Sequence, residues 1–222
     1  MKNLVILISG RGSNMQAIVD AQLSNAHIAA VIANRPEATG LTWAAEQRIP
    51  TVVLDHTAYP NRETFDTHLA HTIDQFSPDL VILAGFMRIL TPSFTQHYEA
   101  RLINIHPSLL PAFPGLRTHE RALATGCKVA GCTVHFVTPD LDHGPIIAQG
   151  VVPIVATDTP STLAARVLAV EHRIYPMAIQ WFIDNRLKII EGKVHLDQPY
   201  ATTHREDGHS FIVPLPDRCK TE

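Results

Sequence analysis

Three residues have types and positions suited to chemistry: Asn104, His106 and Asp142. Asn104 and His106 stand two apart at the end of the apolar run Leu102 to Ile105. A strand's period of two puts both side chains on one face. Pro107 keeps His106 extended. In open α/β sheets ligands sit beyond the carboxyl ends of the strands, so both side chains would overhang a cleft. Asp142 lies in the turn Asp140-Leu-Asp-His-Gly-Pro145. An amide donor, an imidazole and a carboxylate suit a reaction through a tetrahedral oxyanion, and none of them need be a nucleophile. Taken singly, each has a plainer explanation. Asn ends strands as a turn former, a lone His is commonly structural, and Asp-x-Gly-Pro is ordinary turn chemistry.

A second candidate is Gly10-Arg-Gly-Ser-Asn14, between an apolar run and a helical pattern. Helix N-terminal amides and the helix dipole favour an anion there, and glycine lets the backbone approach it. Ser13 and Asn14 add side-chain donors. Met15 stands where the dinucleotide fingerprint has its third glycine, and no Gly-Lys-Ser/Thr follows. A single phosphate therefore suits the turn better than a pyrophosphate. An ordinary tight strand-to-helix turn is the alternative.

The elements that would hold these residues are legible as alternating patterns. Leu4 to Ile8, Ile28 to Ala33, Thr51 to Leu54, Leu80 to Ala84 and Leu102 to Ile105 read as strands, the most apolar of them buried on both faces. Between them, Met15 to Leu23, Leu41 to Gln47 and the spacing of Phe65, Leu69, Ile73 and Phe76 read as helices. This alternation predicts an α/β fold with an open, mostly parallel sheet and helices on both faces. Val129 to Val137 and Ile146 to Ile154 are longer, partly alternating strands that make the later sheet mixed. Thr159-Pro160 starts a long helix with an apolar stripe through Leu163, Val167, Val170, Ile174, Met177 and Trp181. Pro176 is expected to kink or interrupt it. Leu187 to Ile190 and Lys193 to His195 suggest a small hairpin around Glu191-Gly192. From Gln198 no periodicity is visible. The expected organisation is one domain over residues 1–197 and a poorly ordered tail over 198–222.

Composition narrows the classes. The chain has 222 residues, 45% of them apolar and 18% charged, which is globular. Its net charge of −3 offers no basic surplus for a nucleic-acid backbone. No apolar run nears the roughly 18 residues that a membrane span needs. The three cysteines, Cys127, Cys132 and Cys219, have no C-x-x-C spacing, so free thiols in a reducing, cytoplasmic compartment are expected. The thirteen histidines show no metal-ligand spacing, so no metal is expected.

Six segments occur in a recognisable order: Ser9-Gly-Arg-Gly-Ser-Asn14, Phe86-Met-Arg-Ile-Leu90, Asn104-Ile-His-Pro-Ser-Leu-Leu-Pro111, Phe113-Pro-Gly115, Leu141-Asp-His-Gly-Pro145 and Glu171-His-Arg-Ile-Tyr-Pro176. They resemble the folate-dependent formyltransferases over about residues 1–190, and the Gly-Ser-Asn turn resembles the phosphoribosylglycinamide branch of that family. The resemblance implies a Rossmann-like fold with a phosphate-binding N-terminal half and a folate-binding C-terminal half. It implies formyl transfer from 10-formyltetrahydrofolate, a co-substrate, to the amine of 5-phosphoribosylglycinamide in purine biosynthesis. It also implies roles by motif. Gly12, Ser13 and Asn14 would hold the substrate phosphate, and Glu171 the ribose hydroxyls. Met87, Arg88, Ile89 and Leu90 would line the folate pocket, with Arg62, Asn104, Asp140 and Leu141. Asn104, His106 and Asp142 would be catalytic. His143 departs from the pattern by placing a second ionisable group beside Asp142.

Three other readings compete. A methionyl-tRNA formyltransferase needs a further C-terminal domain for tRNA, whereas most of residues 143–222 are already used by the later strands and long helix, and the charge is acidic. A 10-formyltetrahydrofolate deformylase, a hydrolase, is expected to carry an N-terminal regulatory domain, whereas the first strand here begins at Asn3. A non-catalytic nucleotide-sugar module would keep the glycine turn without needing Asn104, His106 and Asp142. The expected partners are small molecules, with neither nucleic acid nor membrane, and the sequence leaves the oligomeric state open.

Overall fold

The computed structural model describes residues 1–197 and, for the backbone alone, 211–213. The chain divides into two compact units, residues 1–105 with 136–141, and residues 106–135 with 142–222.

In the first unit the elements follow as β1 (Lys2–Ile8), α1 (Ser13–Asp20), β2 (Ala26–Ala33), α2 (Gly40–Glu46), β3 (Thr51–Val53), α3 (Arg62–Asp74), β4 (Leu80–Leu83), α4 (Pro92–His97) and β5 (Leu102–His106), whose last residue counts with the second unit. The strands lie in the order β3-β2-β1-β4-β5, all parallel. Leu4 to Ile8, Ala30 to Ala33 and Leu80 to Ile82 are fully buried, which is why these runs are apolar at every position. In α3 the Asn61 side chain accepts the Thr64 N–H at 2.8 Å, and Phe65, Leu69 and Ile73 turn fully into the core. That is the face the i, i+4, i+8 spacing predicts.

In this unit one boundary and one element differ from the sequence reading. α1 stops at Asp20 and does not reach Leu23, because Gln22 and Asn25 take positive φ in a turn that feeds β2. α4 was invisible in the pattern, since its six residues make too few turns to show a period.

The second unit holds α5 (Thr118–Ala124), β6 (Val129–Phe136, its last residue counted with the first unit), β7 (Ile146–Pro153), α6 (Pro160–Ile183), β8 (Leu187–Ile190), β9 (Lys193–Leu196) and β10 (Phe211–Val213). β6 and β7 pair antiparallel, with an irregularity between Val134 and His135. β10 adds antiparallel to β7, so the stretch beyond Gln198 does contain a strand, too short to announce itself by alternation. The rest of that tail, with Cys219, lies outside the described residues. The hairpin β8–β9 turns at Glu191 and Gly192, both at positive φ, as a tight right-twisting turn requires. Parallel strands followed by antiparallel ones give the mixed α/β class that the sequence predicts.

α6 begins at a capping box made by Thr159 and Thr162, with Pro160 in its first turn. Leu163, Val167, Val170, Ile174 and Trp181 are buried and Met177 is half-buried, so the stripe is a packing face. Pro176 does not interrupt this helix, which runs through to Ile183. A proline inside a helix costs ~3 kcal/mol. Burial of a single large aliphatic side chain stabilises by ~1.5–3 kcal/mol, and several flank Pro176. Gly150 of β7 lies under this helix, and a Cβ added there would collide with the Val170 side chain.

Candidate active site

In the second unit His106 and Asp142 come together. His106 Nδ1 lies 3.5 Å from Asp142 Oδ2, and both side chains are more than nine-tenths buried. His106 Nε2 lies 3.0 Å from the Phe113 carbonyl. Both ring nitrogens thus face oxygen acceptors, and a protonated ring can donate at both. The Gly115 N–H donates to the same Asp142 oxygen at 2.8 Å. Asp142 itself takes a φ of 56°, a region that Asp tolerates better than most residues and that recurs at functional turns.

The segment between these two residues is held by buried hydrogen bonds. The fully buried Thr133 hydroxyl donates to the Ser108 carbonyl at 2.7 Å and accepts the Leu110 N–H at 3.0 Å. Gln149 Nε2 donates to the Leu110 carbonyl at 2.9 Å. The Ser108 hydroxyl donates to the Ala112 carbonyl at 2.6 Å. Arg121 donates to the Pro114 carbonyl at 2.6 Å and stands over the Phe113 ring. The loop that caps His106 is therefore built and not merely draped. Burial, with a smaller effect of the nearby His106 charge, lowers the His119 pKa below the ordinary imidazole value.

The sequence reading missed His135. This residue is 2% exposed, and its Nε2 lies 4.0 Å from Asp142 Oδ1. The histidine singled out beforehand, His143, is exposed. The available signal was a lone imidazole inside the apolar run Ala130 to Val137, where a buried polar ring needs partners. Glu171 is 7% exposed on α6, so it is not a solvated helix residue. Burial and the neighbouring Glu171 charge push the Cys132 thiol well above its ordinary value. Cys127 and Cys132 are free thiols.

In the first unit the strand ends carry the remaining candidates. Gly12 is the N-cap of α1 at φ 69°, and as a glycine it offers no capping side chain. A Cβ there would stand 2.8 Å from Met15 Cε, so Met15, which breaks the dinucleotide fingerprint, fills the space beneath the turn. The Gly40 N–H donates to the Gly10 carbonyl at 3.1 Å and steadies the turn from α2. Asn14 is buried and Ser13 half-buried.

Met87 and Ile89 are exposed at 63% and 56%, whereas Leu90 packs into the core at 7%. The segment therefore offers two apolar side chains outward and anchors itself by the third. Arg88 is half-buried with its guanidinium 4.6 Å from the Phe65 ring centroid. Asp66, 2% exposed, accepts the Thr91 N–H at 2.6 Å and so fixes the end of this segment. Burial raises the Asp66 pKa above the ordinary carboxylate value, against the opposing effect of the Thr91 hydrogen bonds and of Arg88. Arg62 is exposed at the first position of α3, 3.7 Å from Glu63. Asp140 and Leu141 are exposed, and the Thr138 hydroxyl donates to the Asp140 carbonyl at 3.3 Å. Asn104 is half-buried on β5, in register with Leu83 of β4.

Among the described residues no group of three His, Cys, Asp or Glu is placed to hold a metal ion, and no helix is long and apolar enough to cross a membrane.

Residues 2–179 match the Formyl transferase family, and the chain belongs to it. Within that class it is similar to the phosphoribosylglycinamide formyltransferase of Escherichia coli K12, with 50% identity over 198 residues, 88% of this chain and 93% of that protein. The fold agrees. The crystal structure of glycinamide ribonucleotide transformylase 1 from Symbiobacterium toebii matches with a TM-score of 0.87 and 45% identity, over 89% of this chain and 95% of that one. The phosphoribosylglycinamide formyltransferase of Coxiella burnetii, solved in complex with CHES, matches with a TM-score of 0.84 and 49% identity, over 88% and 93%. The chain is a formyl-transferring enzyme of purine biosynthesis.

Proposed function

We propose that the chain transfers the formyl group of 10-formyltetrahydrofolate to the amine of 5-phosphoribosylglycinamide, by direct attack and without a covalent enzyme intermediate. The observation that carries this reading is the buried His106–Asp142 pair, 3.5 Å apart, at the carboxyl end of β5. The two groups can stabilise an oxyanion and move protons, and the site needs no nucleophile of its own.

In this reading the substrate amine attacks the formyl carbon and the formyl oxygen becomes an oxyanion. Asn104 donates a hydrogen bond to it. The Nε2–H of His106, directed at the Phe113 carbonyl when no substrate is bound, turns its hydrogen bond to the oxyanion. Asp142 accepts the amine proton through a water molecule. The tetrahedral intermediate collapses by breaking the bond from carbon to N10. His106 protonates N10, and proton return from Asp142 restores the pair. The amine loses one proton and N10 gains one, so the products are the formylated amide and tetrahydrofolate.

Gly12, Ser13 and Asn14 hold the phosphate at the N-terminus of α1, and Glu171 accepts from the ribose hydroxyls. The folate lies along residues 87–90, reached by Arg62 and by Asp140 and Leu141. The protein works in the cytoplasm on small molecules and has no nucleic-acid partner. The deformylase reading is not favoured, because the relatives matched along nearly their whole length are transferases.

The test mixes protein, 10-formyltetrahydrofolate and the glycinamide substrate, and follows tetrahydrofolate formation with and without the acceptor. Turnover that requires the acceptor supports transfer. Turnover without it identifies a hydrolase.

A further inference from the structure

The parallel register of β1 and β4 pairs Leu7 with Leu83 and continues past the strand ends. The Ser9 N–H donates to the Gly85 carbonyl at 3.2 Å. One step on, the Ser9 hydroxyl oxygen accepts the Met87 N–H at 2.8 Å. The hydroxyl proton is committed elsewhere, to Asn34 Oδ1 at 2.6 Å. Asn34, 1% exposed, directly follows β2. Its own carbonyl accepts from His56 Nδ1 at 2.7 Å and from the His56 N–H at 3.2 Å. Its side-chain Nδ2 lies 3.4 Å from the same His56 Nδ1, and its Oδ1 sets the direction of the Ser9 O–H. What remains of the hydroxyl is a lone pair aimed at one backbone amide.

Only a group that donates and accepts at once can serve here, and a hydroxyl does both. Ser9 stands three residues before Gly12 and bonds the first residue of the 87–90 segment. The ends of β1, β2 and β4 converge on it, where ligands of such sheets sit.

We propose that Ser9, oriented by Asn34, is a positioning residue that fixes the Met87 amide and joins the phosphate turn to the folate segment. The proposal rests on the functional reading above. Ser9→Ala removes both hydrogen bonds and leaves a cavity no larger than an oxygen atom. It raises KM for the folate donor about tenfold, the scale of a lost hydrogen bond, and KM for the phosphorylated acceptor by a smaller factor, with kcat changed less than about threefold. Ser9→Thr keeps the hydroxyl and restores the donor KM to within about threefold of wild type. Ser9→Cys keeps the shape, weakens the hydrogen bonds and falls between the two, which covers the case that Ser9→Ala does not fold.

A second readout is independent of turnover: hydrogen exchange at the Met87 amide. It speeds up in Ser9→Ala and in Asn34→Ala and returns in Ser9→Thr. Lowered thermal stability with both KM values and Met87 exchange unchanged would mean a purely structural serine and overturn the proposal. A wild-type protein that failed to transfer formyl groups would instead remove the functional reading, and the Met87 exchange rates would still decide whether Ser9 holds that amide.

Discussion

His135 Nε2 lies 4.0 Å from Asp142 Oδ1, on the oxygen opposite the one that faces His106. The carboxylate therefore sits between two buried imidazoles, and different duties are expected of the two. His106 is the last residue of β5, whereas His135 lies inside β6, so His106 is expected to meet the substrate and His135 to act through Asp142. Asp142→Asn keeps the Gly115 hydrogen bond through its carbonyl oxygen but cannot accept a proton. It is expected to lower kcat by about 10²–10⁴ while donor affinity stays near wild type. His135→Gln should lower kcat by a smaller factor, and the exposed His143→Ala should leave it unchanged. Steady-state kinetics of the three variants give the ranking. A larger loss from His143→Ala than from His135→Gln would reverse the assignment.

Asn104 is expected to act on the developing charge. Asn104→Ala should reduce kcat by about 10²–10³, the usual effect of one oxyanion donor. The binding of both substrates should survive, because the interaction belongs to the transition state. Isothermal titration with a non-reactive folate, beside the kcat measurement, separates this role from simple ligand binding. Normal kcat with weakened binding would make Asn104 a binding residue only.

At Gly12 the expectation concerns the acceptor alone. Gly12→Asp puts a side chain 2.8 Å from Met15 Cε and a negative charge where the phosphate approaches. KM for the phosphorylated substrate should rise strongly while donor binding changes little. Equal loss of both affinities, with a lowered melting temperature, would indicate a damaged fold.

Asp66 gives a pH-dependent prediction. Burial raises its folded-state pKa above the model-peptide value of 3.8, so folding favours the protonated form. Its contribution to stability is complete below that ordinary value and is lost as pH rises through the raised one. Asp66→Asn stays neutral at every pH and keeps an oxygen for the Thr91 N–H. The melting temperature of Asp66→Asn relative to wild type should therefore climb as pH rises above about 4. A relative melting temperature that falls as pH rises would show that the Thr91 hydrogen bonds and the attraction from Arg88 outweigh burial.

The sequence made the central strands legible because both of their faces are buried, so Leu4 to Ile8 and Leu80 to Leu83 are apolar without interruption. It showed α3 and α6 because each repeats its buried face over several turns. It did not show α4, α5 or β10, of six, seven and three residues, because each completes too few repeats for a pattern to stand out from its polar neighbours. The candidate site divides in the same way. The sequence singled out Asn104 and His106 by strand geometry and Asp142 by its turn, and the structure brings His106 and Asp142 within 3.5 Å. His135 was hidden because a histidine inside a strand core looks like packing until the fold brings the far turn against it. The Ser9–Asn34–Met87 contacts join residues far apart in sequence, so no local pattern encodes them. Pro176 misled because local helix propensity was weighed without the packing around it.

The missing side chain at Gly150 has a reach beyond its own strand. Val170 rests where a Cβ would be, and the next residue along α6 is Glu171. The height of that carboxylate above the strand is therefore set by the thickness of a glycine. A single methyl at position 150 would act as a spacer, lifting the helix and carrying Glu171 away from the hydroxyls it is proposed to bind. In a saturation screen scored on growth without purines, position 150 would be as intolerant as the reacting residues, although Gly150 has no proposed part in binding or chemistry. Such a map would show two kinds of sensitive position, those that handle substrate and those that gauge the distance to it.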